Sequence, residues 1–380
     1  MRFTLIALLL AAGVTYAANT ADAQKHINRI KSVSKEGAGN QEAGAAWADL
    51  VALGADGLLP TLAGMDDASP TAANWLRTAV NTVAAKEKAA GRRLPADRLE
   101  EFVGERKHAP AARRLAYEVL TDIDPKAPDR LLPKMLDDPS KELRRDAVAA
   151  ALVKAEKLEG DPAKAEYTRL FSTVRDEDQA AKIAAALTKL GARPDFKTQF
   201  GLVTDWMLAG PFDSTKGAGF AAVYEPEKKI DLSATYKGKA DAEVKWIRHT
   251  VEIDPAKAKV DEVGVVNLKK ALGHHKDAAA YAYTVIESDQ DRPVEIRFGS
   301  ITAIKVFLNG KPIFAHEEYH HGMNFDQYKA ATTLKAGKNE LLVKACQNDQ
   351  KEDFAQVWMF QLRLADATGG AVPFKVTLPR

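Results

Sequence analysis

Residues 304–314 read IKVFLNGKPIF. Ile304, Val306 and Leu308 alternate with Lys305 and Phe307, the period of two that turns one face of a strand inward. Asn309-Gly310 follows at once. Both residue types accept the positive φ that a two-residue hairpin turn requires. Pro312-Ile313-Phe314 reads as the returning strand. The period extends outward from this hairpin. Val294, Ile296 and Phe298 alternate with Glu295 and Arg297. Leu341, Val343 and Ala345 mark a later strand, entered through the turn Lys335-Ala336-Gly337-Lys338-Asn339. Trp358, Phe360, Leu362 and Leu364 share one face of the last long strand, and Met359, Gln361 and Arg363 the other. Many short strands separated by turns predict an antiparallel β-sandwich or jelly roll from Val203 onward.

Upstream the period changes to that of a helix. From Leu131 the chain reads LLPKMLDDPSKELRRDAVAAALVKAEKL. Leu131, Leu132, Met135 and Leu136 form one apolar stripe, and Asp137-Asp138-Pro139-Ser140 breaks it. Leu143, Ala147, Ala150 and Ala151 form a second stripe at helical spacing. LLPTLAGMDD from Leu58 and LRTAV from Leu76 echo this unit. ARRLAYEVL from Ala112 and AAKIAAALTKLG from Ala180 read as further second helices. Equivalent alanines (Ala79, Ala116, Ala147, Ala185) recur every 31 to 38 residues, a range that suits a stack of helix pairs. Arg92-Arg93, Arg113-Arg114 and Arg144-Arg145 read as solvated helix surface, and His26 and His108 as isolated surface residues.

The two patterns meet near Arg193-Pro194. Residues 24–195 hold six aromatic side chains, and those from Phe196 onward hold twenty. One hydrophobic pattern cannot serve both, so the 380 residues predict two domains with different cores. The seam is not a charge boundary. Residues 24–195 carry 28 basic and 27 acidic side chains, and the whole chain is +2. No basic face argues for nucleic acid.

Residues 1–23 read as a secretory signal. Arg2 supplies the positive start, and the apolar run Leu5–Val14 is too short to span a bilayer. Thr15-Tyr16-Ala17 has small residues at cleavage spacing, and Ala21-Asp22-Ala23 is a second site. No Cys lies beside either, which argues against a lipid anchor. No later stretch is apolar enough for a transmembrane helix. The expected location is outside the cytoplasm, periplasmic or extracellular. Cys346 is the single cysteine, so no internal disulfide forms and both cores stand on burial alone.

Segment 24–195 resembles HEAT repeats, whose units pair a Leu-Pro first helix with an Asp-Pro turn and an Arg-containing second helix. The resemblance implies a docking surface for a protein partner. Segment 196–380 resembles galactose-binding-like jelly-roll domains, the sugar-binding type found with family 2 glycoside hydrolases. DWMLAGPFD from Asp205 resembles their opening strand, and IKVFLNGKPIF their hairpin. FDQYKAATTLKAGKNELLVKACQ from Phe325 and VWMFQLRLAD from Val357 resemble their later strands. That resemblance implies a non-catalytic sandwich that binds carbohydrate or braces a neighbour. No barrel of about 250 residues follows in this sequence, so the hydrolases' activity is not carried over.

Sugar sites combine an aromatic face for C–H patches with polar groups for hydroxyls. Trp246, Tyr281, Tyr283 and Tyr319 are the aromatic candidates. His275, Asp326, Gln347 and Asn348 are the polar ones. Trp206, Phe212 and Trp358 read as core, and Tyr319 as the exposed ring. Asp326 matches an aspartate of the resembled domains that ties a loop to its surroundings or contacts ligand. His316-Glu317-Glu318-Tyr319-His320 has the His-Glu-x-x-His spacing of zinc peptidases. That chemistry needs a helix to hold two imidazoles parallel, and this motif follows a hairpin strand. His316, His320 and His321 remain candidate metal ligands in a loop. No cofactor is expected, with calcium left open. No Gly-x-Ser-x-Gly elbow is present, and no supported catalytic constellation emerges. The expected function is an exported, non-catalytic binding and scaffold protein. The alternatives are an interaction protein without sugar affinity and a hydrolase using the His316 loop.

Overall fold

The structure, a computed structural model, describes residues 20–34, 37–254 and 262–378. Most of the expected signal, residues 1–19, lies outside the described residues. Helices come first and antiparallel sheets follow, the layout that the two periodicities predict. The chain divides into two compact units, Met1–Val153 and Lys154–Arg380. Among the described residues, no helix is long and apolar enough to cross a membrane.

The first unit is helical. It holds α1 (20–31), α2 (Asn40–Ala52), α3 (Ala55–Ala63), α4 (Pro70–Ala89), α5 (Ala96–Gly104), α6 (Pro110–Ile123), α7 (Ala127–Leu131) and most of α8 (Lys141–Ala155). Local chemistry sets their starts. The Ser69 hydroxyl accepts from the Ala72 amide at 3.3 Å, and Pro70 occupies the first turn of α4, where its missing N–H costs nothing. Asp138 and Ser140 do the same work ahead of α8. Asp138 Oδ1 accepts from the Ser140 amide at 2.8 Å.

The expected stripe Leu131, Leu132, Met135 and Leu136 is buried, as are Leu143 and Ala147. The second stripe then continues through Val148, Leu152 and Ala155, leaving Ala150 and Ala151 at its edge. Ala79 and Ala116 are fully buried. In the fourth second helix Ala184 is buried and Ala185 faces out, so the equivalence slips there by one residue.

Side-chain bonds join segments about one repeat apart. Trp47 Nε1 donates to Thr78 at 3.1 Å, 31 residues on. Lys88 meets Asp122 at 2.6 Å, 34 residues on. Arg106 meets Asp137 at 2.6 Å, 31 residues on, and Arg130 reaches back 30 residues to Glu100 at 2.6 Å.

The double-arginine runs correct the sequence reading. Arg113 is 1% exposed and clamps Asp138 with bonds of 2.8 and 2.7 Å, while its Nε donates to the Val103 carbonyl at 2.8 Å. Arg144 is also buried and donates to the Asp138 carbonyl at 2.7 Å. Each of the three Arg113 nitrogens makes a hydrogen bond, and a guanidinium paired in this way tolerates burial. His108 is no isolated surface residue either. Its ring stacks on Phe102 at 3.9 Å, and its nitrogens meet Asp66 at 2.7 Å and Glu105 at 3.0 Å.

The second unit opens with α9 (Gly160–Phe171), α10 (Glu177–Lys189) and the short α11 (Phe196–Phe200). These helices pack with the sheets. Phe171 meets Phe196 edge-on at 5.4 Å, Phe200 meets Phe325 at 5.3 Å, and Arg175 donates to the Thr368 carbonyl at 3.3 Å. The compositional seam at Arg193-Pro194 therefore lies inside this unit.

Its strands are β1 (Asp205–Asp213), β2 (Thr235–Lys237), β3 (Glu243–Lys245), β4 (Ile247–Thr250), β5 (Val265–Asn267), β6 (Ala278–Ser288), β7 (Arg292–Ser300), β8 (Ala303–Leu308), β9 (Lys311–His316), β10 (Tyr328–Leu334), β11 (Gly337–Gln347), β12 (Met359–Ala365) and β13 (Lys375–Val376). A large sheet runs β4-β1-β6-β11-β8-β9, with β13 also on β6, and a small sheet runs β10-β7-β12-β5. Their pairings are antiparallel. The hairpin of the opening stretch joins β8 to β9, and Asn309 and Gly310 take φ of 51° and 74°.

The main core lies between the sheets. Ile304, Val306, Leu341 and Val343 of the large sheet meet Ile296, Phe298, Phe360 and Leu362 of the small one. Trp206 and Trp358 are in this core as expected. Burying each such side chain contributes about 2–3 kcal/mol.

A second apolar cluster covers the opposite face of the large sheet. Residues 214–246 cross that face as a strap, with Tyr236, Val244 and Trp246 packed on Tyr281, Tyr283, Phe307 and Cys346. β1 serves both clusters. A register shift between Ala209 and Phe212 sends Trp206 and Leu208 to one side and Phe212 to the other.

Candidate functional site

Four loops meet at one end of the sandwich. They are residues 213–217 after β1, 273–277 before β6, 317–327 between β9 and β10, and 348–356 after β11. Backbone bonds tie them together. The Asp277 amide donates to the Asn348 carbonyl at 2.9 Å, and the Ser214 amide donates to the Asp277 carbonyl at 2.8 Å. The Lys216 amide donates to Asp277 Oδ1 at 3.2 Å. Lys239 Nζ caps the Asp277 carbonyl at 2.9 Å. Lys276 Nζ donates to the Ala355 carbonyl, and Gln347 Nε2 donates to the same carbonyl at 3.2 Å and to that of Val357 at 3.1 Å.

Backbone strain gathers here. Lys216, Asp277 and His320 take φ of 57°, 47° and 58°. Non-glycine residues rarely adopt such angles without a surrounding structure that enforces them, and ligand clamps are where they cluster. Among the described residues, Ser214 Oγ, Gln347 Oε1, His321 Nε2 and Gln356 Oε1 at this end are buried with no partner.

His320 Nε2 donates to Asn348 Oδ1, which assigns its proton to Nε2 and leaves Nδ1 buried and unpartnered. Burial holds the His320 imidazole below its ordinary pKa, against the opposing pull of the Asn348 bond. Burial also lowers Lys276 and raises Tyr319. Tyr319 is half-buried, and its hydroxyl donates to Glu317 Oε1 at 3.4 Å. Phe354 stands 60% exposed, with its ring 6.2 Å from that of His320. His275 borders the end, its Nε2 3.0 Å from the Leu272 carbonyl. The end thus presents two partly open rings, imidazoles, an amide and a carboxylate in one constrained patch.

This geometry divides the expected site residues. Tyr319, Gln347, Asn348 and the metal candidate His320 come together, and His275 lies on the adjoining loop with its ring turned to the Leu272 carbonyl. Gln347 is 1% exposed, so it shapes the loops from beneath.

Trp246, Tyr281 and Tyr283 go elsewhere, which corrects their reading as an open groove. All three lie in the cluster under the strap, at 7%, 0% and 4% exposure. The Tyr281 hydroxyl donates to Glu227, whose Oε1 also receives the buried Lys344 ammonium at 2.7 Å. Tyr283 lines a cleft of about 300 Å³ with Phe307, Leu342 and Glu340, and its hydroxyl donates to Glu340 Oε1 at 3.0 Å.

Asp326 takes the structural role. Arg363 Nε and Nη2 clamp its two oxygens at 2.6 Å each, and Arg297 Nη1 adds a bond of 2.8 Å. Burial pushes its carboxyl up, and the Arg363 and Arg297 contacts outweigh that push and hold it below the usual range.

His316 and His321 sit apart from His320. His316 bonds to Glu318 Oε2 at 2.9 Å, and His321 Nδ1 meets the Gln327 amide at 2.9 Å. The His-Glu-x-x-His run ends a strand and enters a loop without a helix. Among the described residues no three His, Cys, Asp or Glu side chains converge as metal ligands. Cys346 is buried, and burial pushes its thiol up to about 12, the setting of an unreactive thiol.

Asp277, Lys276 and Phe354 were missed by sequence reasoning. Phe354 carried a signal, a lone aromatic in the polar run QNDQKEDFAQ. Asp277 and Lys276 carried none, because loop convergence is a tertiary property.

No protein-family model matches this chain, and no curated protein matches it. Among solved structures it overlaps the GH31 α-xylosidase of Xanthomonas citri at 10% identity, over 43% of this chain and 18% of that one, with a TM-score of 0.21. It overlaps a selenomethionine-labelled β-glucosidase of Kluyveromyces marxianus at 10% identity, over 81% and 36%, with a TM-score of 0.24. The glucose complex of that β-glucosidase gives 9% identity, 81% and 37%, and a TM-score of 0.22. The chain spans at most 37% of these proteins, and overlaps at such scores carry no argument about fold or function.

Proposed function

We propose that the chain is an exported, non-catalytic binding and scaffold protein. Its sandwich is of the galactose-binding-like type and holds carbohydrate at the four-loop end. Its helices are HEAT-like repeats that dock a protein partner. The single observation that carries the sugar reading is the meeting of Tyr319, His320 and Asn348 on loops held by Asp277. A sugar ring needs an aromatic face and several fixed hydrogen-bonding groups, and this end supplies both. The helical reading is supported by side-chain bonds that recur at 30 to 34 residues, the spacing of one helix pair.

The test is a glycan array on the full exported chain. Retention of at least one polysaccharide class supports the proposal, and silence across all classes removes it. A second reading, an interaction protein without sugar affinity, is favoured by the burial of Trp246, Tyr281 and Tyr283. It predicts that silence.

A further inference from the structure

We infer that the strap builds the four-loop end, and that Lys239 is the positioning residue through which it does so. The role rests on the reading of that end as a binding site. Lys239 acts through Asp277 and Asn348, not by contact with a sugar.

The Lys239 ammonium donates to the Lys276 carbonyl and, at 2.9 Å, to the Asp277 carbonyl. Two successive carbonyl dipoles thus converge on one point. Their oxygens repel each other, and a cation between them offsets that cost with charge-assisted hydrogen bonds. Asp277, held at a φ of 47°, then sets its neighbours. Its carbonyl also accepts from the Ser214 amide, its carboxylate accepts from the Lys216 amide, and its own amide donates to the Asn348 carbonyl. The Asn348 side chain in turn receives His320.

The strap is shaped to deliver this ammonium. A Cβ on Gly238 would stand 2.5 Å from the Pro211 carbonyl oxygen of β1, so a side chain there would displace backbone. The Gly238 amide closes a tight turn on the Ala242 carbonyl at 2.7 Å. Within that turn Ala240 and Asp241 take φ of 51° and 60°, angles that non-glycine residues keep only where their surroundings enforce them. The strap also supports the ring of the site. Tyr319 packs on the aromatic cluster under the strap, and its hydroxyl lies 3.8 Å from where a Cβ on Gly217 would stand. Ring and amide are set by the same segment.

The test is amide hydrogen exchange on the full chain, read by mass spectrometry at residues 212–218 and 273–278, with β7 and β10 as reference. In Lys239→Ala both segments are expected to exchange about tenfold faster, the loss of a charge-assisted hydrogen bond, while β7 and β10 stay unchanged. Methylammonium chloride replaces the lost ammonium and is expected to restore protection. Tetramethylammonium chloride at the same concentration has no N–H to donate and is expected to restore none. Lys239→Met keeps the aliphatic stem and carries the same expected loss if the alanine variant does not fold. Wild-type exchange in Lys239→Met, no recovery with methylammonium, equal recovery with both cations, or faster exchange across β7 and β10 as well, each overturns the inference. A silent glycan array beside methylammonium recovery removes the sugar reading and leaves the strap's hold on the loops standing. Glycan retention with unchanged exchange in Lys239→Met does the reverse.

Discussion

Asp326 shows how one residue can be read in two ways until its neighbours are known. In the sequence it stands in a loop beside Phe325 and matches an aspartate of sugar-binding domains. In the structure its two oxygens are consumed by Arg363 and Arg297. Arg363 is 2% exposed and also donates to the Phe200 and Gly369 carbonyls at 3.1 and 3.2 Å. Removing the carboxylate leaves a buried guanidinium without its counter-charge. Asp326→Ala is therefore expected to cost about 3 kcal/mol of stability, read as a lower urea midpoint. Its glycan affinity, measured on the folded fraction, should stay at the wild-type value. A variant of unchanged stability that loses glycan would return Asp326 to the ligand site.

At the scale of elements, the strands were legible and the strap was not. Alternation put Trp358, just ahead of β12, on one face with Phe360, Leu362 and Leu364 of that strand, and all four lie in the core between the sheets. Asn309-Gly310 announced its turn by residue type alone. Alternation names the two faces of a strand, and it does not say whether both are covered. Tyr281 and Tyr283 alternate with Ala280 and Ala282, and so read as an open aromatic face. The strap closes that face, and Lys344 anchors it by donating to the Ala222 carbonyl at 2.5 Å and to Glu227. Lys344 and Glu227 are 117 residues apart, beyond the reach of any local pattern. The buried Arg113–Asp138 clamp escaped for the same reason.

The loop from 317 to 327 adds a pH dependence. His320 is held below its ordinary pKa chiefly by burial. The unfolded chain then binds more protons at that position in the window between the lowered value and about 6.5. Stability must rise with pH through that window, so it falls as the pH drops from about 6.5 toward the lowered value and levels off below it. His249, lowered mainly by burial, acts in the same direction. Asp326 acts only in stronger acid, since its carboxyl titrates below the usual range. His320→Asn, which accepts a left-handed φ, is expected to flatten part of the stability loss between pH 7 and pH 5. An unchanged pH profile in that variant would contradict the assignment.

Across the whole molecule, composition and packing divide the chain at different places. Aromatic content changes at Arg193-Pro194, and the compact units change after Val153. Phe171, Arg175 and Gln199 explain the difference, since they tie α9–α11 to the second unit. The loop end is where that unit concentrates left-handed residues, unpartnered buried atoms and half-open rings. The most direct measurement of the central claim is a titration of the retained polysaccharide against wild type, Tyr319→Ala, Asn348→Ala and Glu340→Gln. Aromatic stacking and a lost hydrogen bond are each worth about 1.4 kcal/mol or more. Tyr319→Ala and Asn348→Ala should each weaken binding at least tenfold, with Glu340→Gln at wild-type affinity. Full affinity in both loop variants, with the loss at Glu340→Gln, would contradict the account and move the site to the cleft beside Tyr283.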